Sequence, residues 1–106
     1  MKLVILNSSI LTTTGMFELK DISLQEAQQV VQENEILSAV GHQSTADILT
    51  TLLGTEVPMN RIVFEQEQGQ KALVFKLNGR PEEGKILTAE EIHQMGFKFQ
   101  ILIRHK

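Results

Sequence analysis

The sequence predicts a single small α/β domain over residues 1–106, built as a mixed β-sheet of about five strands flanked by helices. Three observations predict it. Short apolar or alternating runs, at Lys2–Leu6, Glu35–Val40, Arg61–Glu67, Lys71–Leu77 and Phe97–Ile103, are interleaved with runs of helical periodicity. Each helical run opens on Ser or Thr and closes on Gly or near Asn34. The length, 106 residues, suits one modest core, and no repeat, linker or low-complexity stretch divides the chain.

Lys2–Leu6 reads as a short buried strand, and Asn7–Thr14 as a polar loop beside the sheet edge. Gly15–Lys20 reads as a brief extended piece. Ser23 then caps a helix with Glu26 at the third position, turning Leu24, Ala27, Val30 and Val31 inward as far as Glu33 or Asn34. Glu35–Val40 is a short internal strand running through Gly41 and His42 into a second helix. Ser44 or Thr45 is its expected N-cap, and with Ser44 as cap Asp47 closes a capping box. Ala46, Leu49, Leu52 and Leu53 form its apolar stripe, and Gly54 and Pro58 end it. Arg61–Glu67 and Lys71–Leu77 alternate around Gln68-Gly69-Gln70, the pattern of an antiparallel hairpin with one face over the helices. Asn78–Gly84 is a compact polar connection. Thr88 caps a last short helix with Glu91 at the third position, Ile92 and Met95 inward and Gly96 as its stop. Phe97, Phe99, Ile101 and Ile103 then share one face of a final strand.

Ten Lys and Arg against thirteen Asp and Glu give a net charge of −3. That argues against a broad grip on duplex nucleic acid and leaves room for a local positive pocket. The five Phe, with no Trp or Tyr, lie in strand-like runs rather than on a basic surface, so generic single-strand stacking is weakly supported. Cysteine is absent, which excludes disulfides and a thiolate nucleophile. The N-terminal run makes a poor signal peptide and no run has membrane-spanning length, so a cytoplasmic protein without a membrane partner is expected.

Candidate chemistry centres on His42. An imidazole just before a helix start stands where backbone N–H groups point outward, a natural seat for phosphate. The bland alternative is a histidine that packs or hydrogen-bonds at a strand end. A metal site is poorly supported, because His42, His93 and His105 are scattered and Glu82, Glu83 and Glu90 read as caps and solvated surface. A Ser-His-Asp hydrolase lacks a nucleophile elbow. A lone His with a flexible Arg suits cleavage of an RNA-like phosphodiester, where the substrate's own 2′-OH is the nucleophile. The protein then aligns it, neutralises the phosphate and protonates the departing 5′-oxygen. Arg80, between Gly79 and Pro81, offers the positive fork, and Glu83 pairs with Arg80 or orients His42. An exposed Arg–Glu turn of small energetic value is the alternative.

The segments LNSSI at 6–10, SAVGHQSTADILTTLLG at 38–54, VPMNR at 57–61 and ALVFKLNGRPEEGKIL at 72–87 together resemble the small ring nucleases of viruses and mobile elements, the type III anti-CRISPR group, over nearly the whole chain. The resemblance implies a homodimeric phosphodiesterase that needs no metal or cofactor and degrades cyclic tetra-adenylate to linear di-adenylate with a 2′,3′-cyclic phosphate. The family's catalytic residues fall on His42, Arg80 and Glu83, and its ligand-lining loop on Asn7 and Ser8 or Ser9. Gly41, Ser44 and Thr45 join the substrate-binding set through their place at the helix start. Glu82 beside Glu83 makes this segment more acidic than a polyanionic ligand favours. The competing reading is a non-enzymatic nucleotide- or nucleic-acid-binding protein of a mobile element.

Overall fold

The computed structural model describes residues 1–8, 11–79 and 87–106. These residues form five strands, β1 (Leu3–Leu6), β2 (Phe17–Ile22), β3 (Ile36–Ser38), β4 (Lys71–Leu77) and β5 (Phe97–Arg104), with three helices, α1 (Leu24–Glu33), α2 (Gln43–Leu53) and α3 (Ala89–Met95). The strands make one mixed sheet in the order β2-β5-β4-β1-β3. β1 runs parallel to both β3 and β4, while β5 runs antiparallel to β4 and β2.

Alternation decides the two faces of this sheet. Leu3, Ile5, Leu73, Phe75, Phe99 and Ile101 turn to the helices and pack with Ala27, Val31, Ala46, Leu49, Leu52, Leu53 and Ile92. Phe75 stacks tilted on Phe99, with ring centroids 5.2 Å apart. On the opposite face Val4, Ala72, Val74 and Leu102 form a smaller cluster under Leu6, Phe17, Ala39 and Phe64. No described helix adds to that cluster.

The local stop and start signals are those of the sequence at α1 and α3. Ser23 and Glu26 form a reciprocal capping box, as do Thr88 and Glu91. Gly54 ends α2 in the left-handed region at φ 68°, donating its N–H to the Thr50 carbonyl.

Four expectations are corrected. Residues 61–67 are not a strand, because both edges of β4 are already taken by β1 and β5. The segment instead crosses the helix-free face, where Phe64 covers the small cluster and Val63 is 95 % exposed. The fifth strand is β2, grown from the brief extended piece, with a six-residue register against β5. β3 ends at Ser38 rather than reaching Gly41. The start of α2 also moves: His42, not Ser44 or Thr45, is the N-cap residue. Asp47 closes no capping box; its carboxylate accepts from the Gln43 side chain at 2.8 Å.

Two carboxylates on edge strand β2 carry shifted affinities for protons. Glu18 is held below the usual carboxylate range by its hydrogen bond to His105 and by Lys20. Asp21 is lowered by the Gln100 amide and by Lys98.

Candidate functional site

The parallel strands β3, β1 and β4 all end at the same edge of the sheet, and side chains beyond their C-terminal ends converge there, the usual place for a ligand in a sheet of this kind. Asn7 follows β1, Gly41 and His42 follow β3, and Gly79 follows β4. A cleft of about 510 Å³ is lined by Asn7, His42, Ser44, Thr45, Phe75, Leu77 and Gly79. It continues into a hollow of about 410 Å³ bounded by Asn7, Ala39, Gly41, His42, Arg61, Ile62 and Val63.

The turn that presents His42 is braced from beneath. Ser38 Oγ donates to the Pro58 carbonyl at 2.6 Å and accepts from the Val40 N–H. The Asn60 side chain donates to the Ser38 carbonyl at 2.7 Å, and its N–H to the Val40 carbonyl at 2.8 Å. His42 therefore leaves an anchored turn and is itself exposed, with an extended backbone at φ −131°. Its carbonyl accepts the first helical bond, from Ala46 at 3.0 Å.

No side chain caps α2, and its first turn holds no acidic residue. The N–H groups of Gln43, Ser44 and Thr45 open the helix without an intrahelical acceptor and carry the positive end of its dipole. Arg61 adds a full charge: its Nε donates to the Gly41 carbonyl at 2.8 Å, which leaves the terminal nitrogens of the guanidinium to the hollow. Among the described residues no Asp or Glu lines either cavity. The helices by contrast carry carboxylates and neither Lys nor Arg. Among its described residues, a chain of net charge −3 thus keeps a local positive basin here.

Asn7, Gly41, His42, Ser44 and Thr45 are brought together at this edge. Ser8 is displaced from them, lining a hollow on the helix-free face. Ser9, Arg80 and Glu83 lie outside the described residues. Among the described residues no three His, Asp or Glu side chains gather as a cation site, and no helix is long and apolar enough to cross a membrane. Arg61 is the residue that sequence reasoning missed. Read as one tooth of a hairpin, it had no reason to meet His42; the signal lay in Pro58 and the polar pair Asn60-Arg61, which detach the segment from a strand pattern.

Known proteins share this architecture and much of this sequence. The uncharacterized protein 26 of Sulfolobus islandicus filamentous virus is 38% identical over 100 residues, covering 90% of this chain and 85% of its own. YddF of Bacillus subtilis is 33% identical over 106 residues, covering 98% of both chains. The solved structure of B116 of Sulfolobus turreted icosahedral virus superposes with a TM-score of 0.84 at 23% identity, over 97% of this chain and 99% of that one. At that identity the likeness shows the fold. The STIV B116-like family model matches residues 3–99, and with relatives of this similarity along its length the chain belongs to the STIV B116-like family.

Proposed function

We propose that this protein is a ring nuclease, a metal-independent phosphodiesterase that opens cyclic tetra-adenylate and so counters or tunes type III CRISPR signalling. The observation that carries the reading is an exposed His42 on the uncapped start of α2, in a cleft that Arg61 makes positive and that no described carboxylate lines. This arrangement suits a phosphodiester and leaves a proton donor beside it.

In the proposed reaction a ribose 2′-oxygen attacks its own phosphorus in line. The 2′-O–P bond forms, the P–O5′ bond breaks and the 2′-OH proton passes to solvent. His42, protonated, donates to the leaving 5′-oxygen. Arg61 and the α2 amides hold the non-bridging oxygens as charge builds on the phosphorane. Arg80 joins them and Glu83 orients a neighbour, roles that come from the sequence resemblance. The products are linear di-adenylates ending in 2′,3′-cyclic phosphate.

A subunit of this size does not enclose a tetranucleotide ring, so the working unit is a two-fold homodimer with a His42 for each of two opposite linkages. Its support is the exposed apolar set Leu11, Met16, Ile62 and Val63, of which Ile62 and Val63 line the hollow beside His42. The deciding experiment is incubation with cyclic tetra-adenylate in excess EDTA. Repeated turnover to di-adenylate supports the enzyme, whereas stoichiometric retention of intact ring makes the protein a nucleotide-binding module. A species that stays monomeric by light scattering with and without ligand removes the dimer.

A further inference from the structure

We propose that Gly41 is a positioning residue: its bare Cα lets the stem of Arg61 lie across it and aims one edge of the guanidinium into the hollow beside His42. The consequence for binding rests on reading that hollow as a phosphodiester site. Gly15, Gly54, Gly69, Gly79 and Gly96 all have positive φ, where a side chain brings strain. Gly41 does not, so its backbone is open to other residues. What excludes them is a neighbour. A Cβ added at residue 41 would stand 3.3 Å from Arg61 Cγ and 3.8 Å from its Nε, and the first of these is closer than carbon atoms pack comfortably.

The same glycine holds the head of the side chain, because its carbonyl accepts from Arg61 Nε at 2.8 Å. The root is fixed one residue earlier. Asn60 donates its N–H to the Val40 carbonyl and its side-chain amide to the Ser38 carbonyl. Behind it the Val57 N–H donates to Thr50 Oγ1 of α2 at 2.9 Å. The chain from Val57 to Asn60 is thereby stitched to the turn and to α2, and Arg61 emerges from the last stitch.

With Nε turned to the Gly41 carbonyl, the guanidinium keeps the donors of its two terminal nitrogens, side by side at the far end of a planar group. That pair matches two oxygens of one phosphate. An exposed arginine free of such contacts spreads over many rotamers and loses that freedom on binding; one held beforehand loses less. A methyl group at residue 41 would undo this. Cγ lies near the root of the side chain and the chain beneath it is pinned, so the stem relieves the contact by rotating about its first torsions. That rotation carries Nε away from the Gly41 carbonyl.

Two measurements on the full chain test this, the first without any ligand. In isotopically labelled protein the Arg61 Nε–H signal, assigned by its loss in Arg61→Ala, should move in Gly41→Ala and exchange with water about fivefold faster, as the loss of one ordinary hydrogen bond implies. Gly41→Ala should also weaken binding of cyclic tetra-adenylate about fivefold or more, because the phosphate ligand is no longer held in place beforehand. In an Arg61→Ala background the same substitution should change affinity by less than about twofold, since its effect passes through Arg61. A merely structural role for Gly41 would give equal losses in both backgrounds, and that result overturns the proposal. So does an Arg61 Nε–H signal that Gly41→Ala leaves unmoved. If the unaltered protein binds no ring, the phosphodiester reading falls, while the Nε–H comparison still decides whether Gly41 positions Arg61.

Discussion

Two of the described helices begin closed and one begins open. At α1 and α3 the hydroxyl of Ser23 or Thr88 and the carboxylate of Glu26 or Glu91 bind the first-turn amides back into the fold. At α2 the residue in the same place is His42, which makes no such bond. Where a polar group exists to hold the fold, the fold provides its partner. Where, among the described residues, partners are withheld together, at one edge of one sheet and next to a cationic side chain, the groups are available to something else.

The largest effect that sharpens this contrast is on turnover. His42→Ala should slow cleavage of cyclic tetra-adenylate about 10²–10⁴-fold in single-turnover assays while ligand affinity stays close to that of the unaltered protein. Arg61→Ala should weaken binding and slow the step together, because a phosphate ligand acts in both the ground and transition states. A His42→Ala variant that cuts at the original rate would put α2 in the same class as the capped helices.

Stability should show the reverse order. Ser23→Ala or Thr88→Ala removes a hydroxyl that accepts from a first-turn amide, and each should lower unfolding free energy by about 1 kcal/mol in urea titrations with turnover per folded molecule unchanged. Ser44→Ala, inside the open turn, should move stability by less than about 0.5 kcal/mol. The sharper version is His42→Ser, which installs the missing cap. It should raise stability by about 0.5–1 kcal/mol and abolish cleavage, a trade between fold and function at one residue. Loss of both stability and activity in that variant would mean that the imidazole holds the turn together.

The parts of the molecule legible in the sequence are those where local signals act alone. The two capping boxes, the Gly54 stop, the Gly96 stop and the inward face of Phe97, Phe99 and Ile101 depend on residues a few positions apart. The parts misread depend on which strand edges are already occupied. Nothing within residues 61–67 says that β1 and β5 hold both sides of β4, so an alternating run that looks like a hairpin arm becomes a crossing segment. Arg61 was lost with it. The start of α2 was misplaced for a related reason: Ser44 and Thr45 are good caps by type, but the brace of Ser38 and Asn60 fixes the chain direction earlier, and the helix begins where that brace ends. Asn7 and His42 lie just beyond β1 and β3, whose apolar runs are plain in the sequence.

The smallest expected effect lies on the closed side of the comparison, at β2. Glu18 and Asp21 are exposed, yet each has a partner: His105 and Lys20 for the first, Gln100 and Lys98 for the second. These partners stabilise the ionised carboxylates and hold both affinities for protons below the ordinary range. Between the lowered folded values and the higher unfolded ones the unfolded chain binds more protons, so stability rises with pH through that window. The contribution is fully present above about pH 5, where free carboxylates are ionised, and is lost as pH falls through the folded values. Glu18→Gln and Asp21→Asn together should therefore reduce the thermal midpoint slightly at neutral pH, and the gap to the unaltered protein should close on acidification. Salt should shrink it too, because solvated pairs are screened. A gap that stays constant from neutral to acid would show that these side chains act through packing, and that the hydrogen bonds at this edge do not depend on charge.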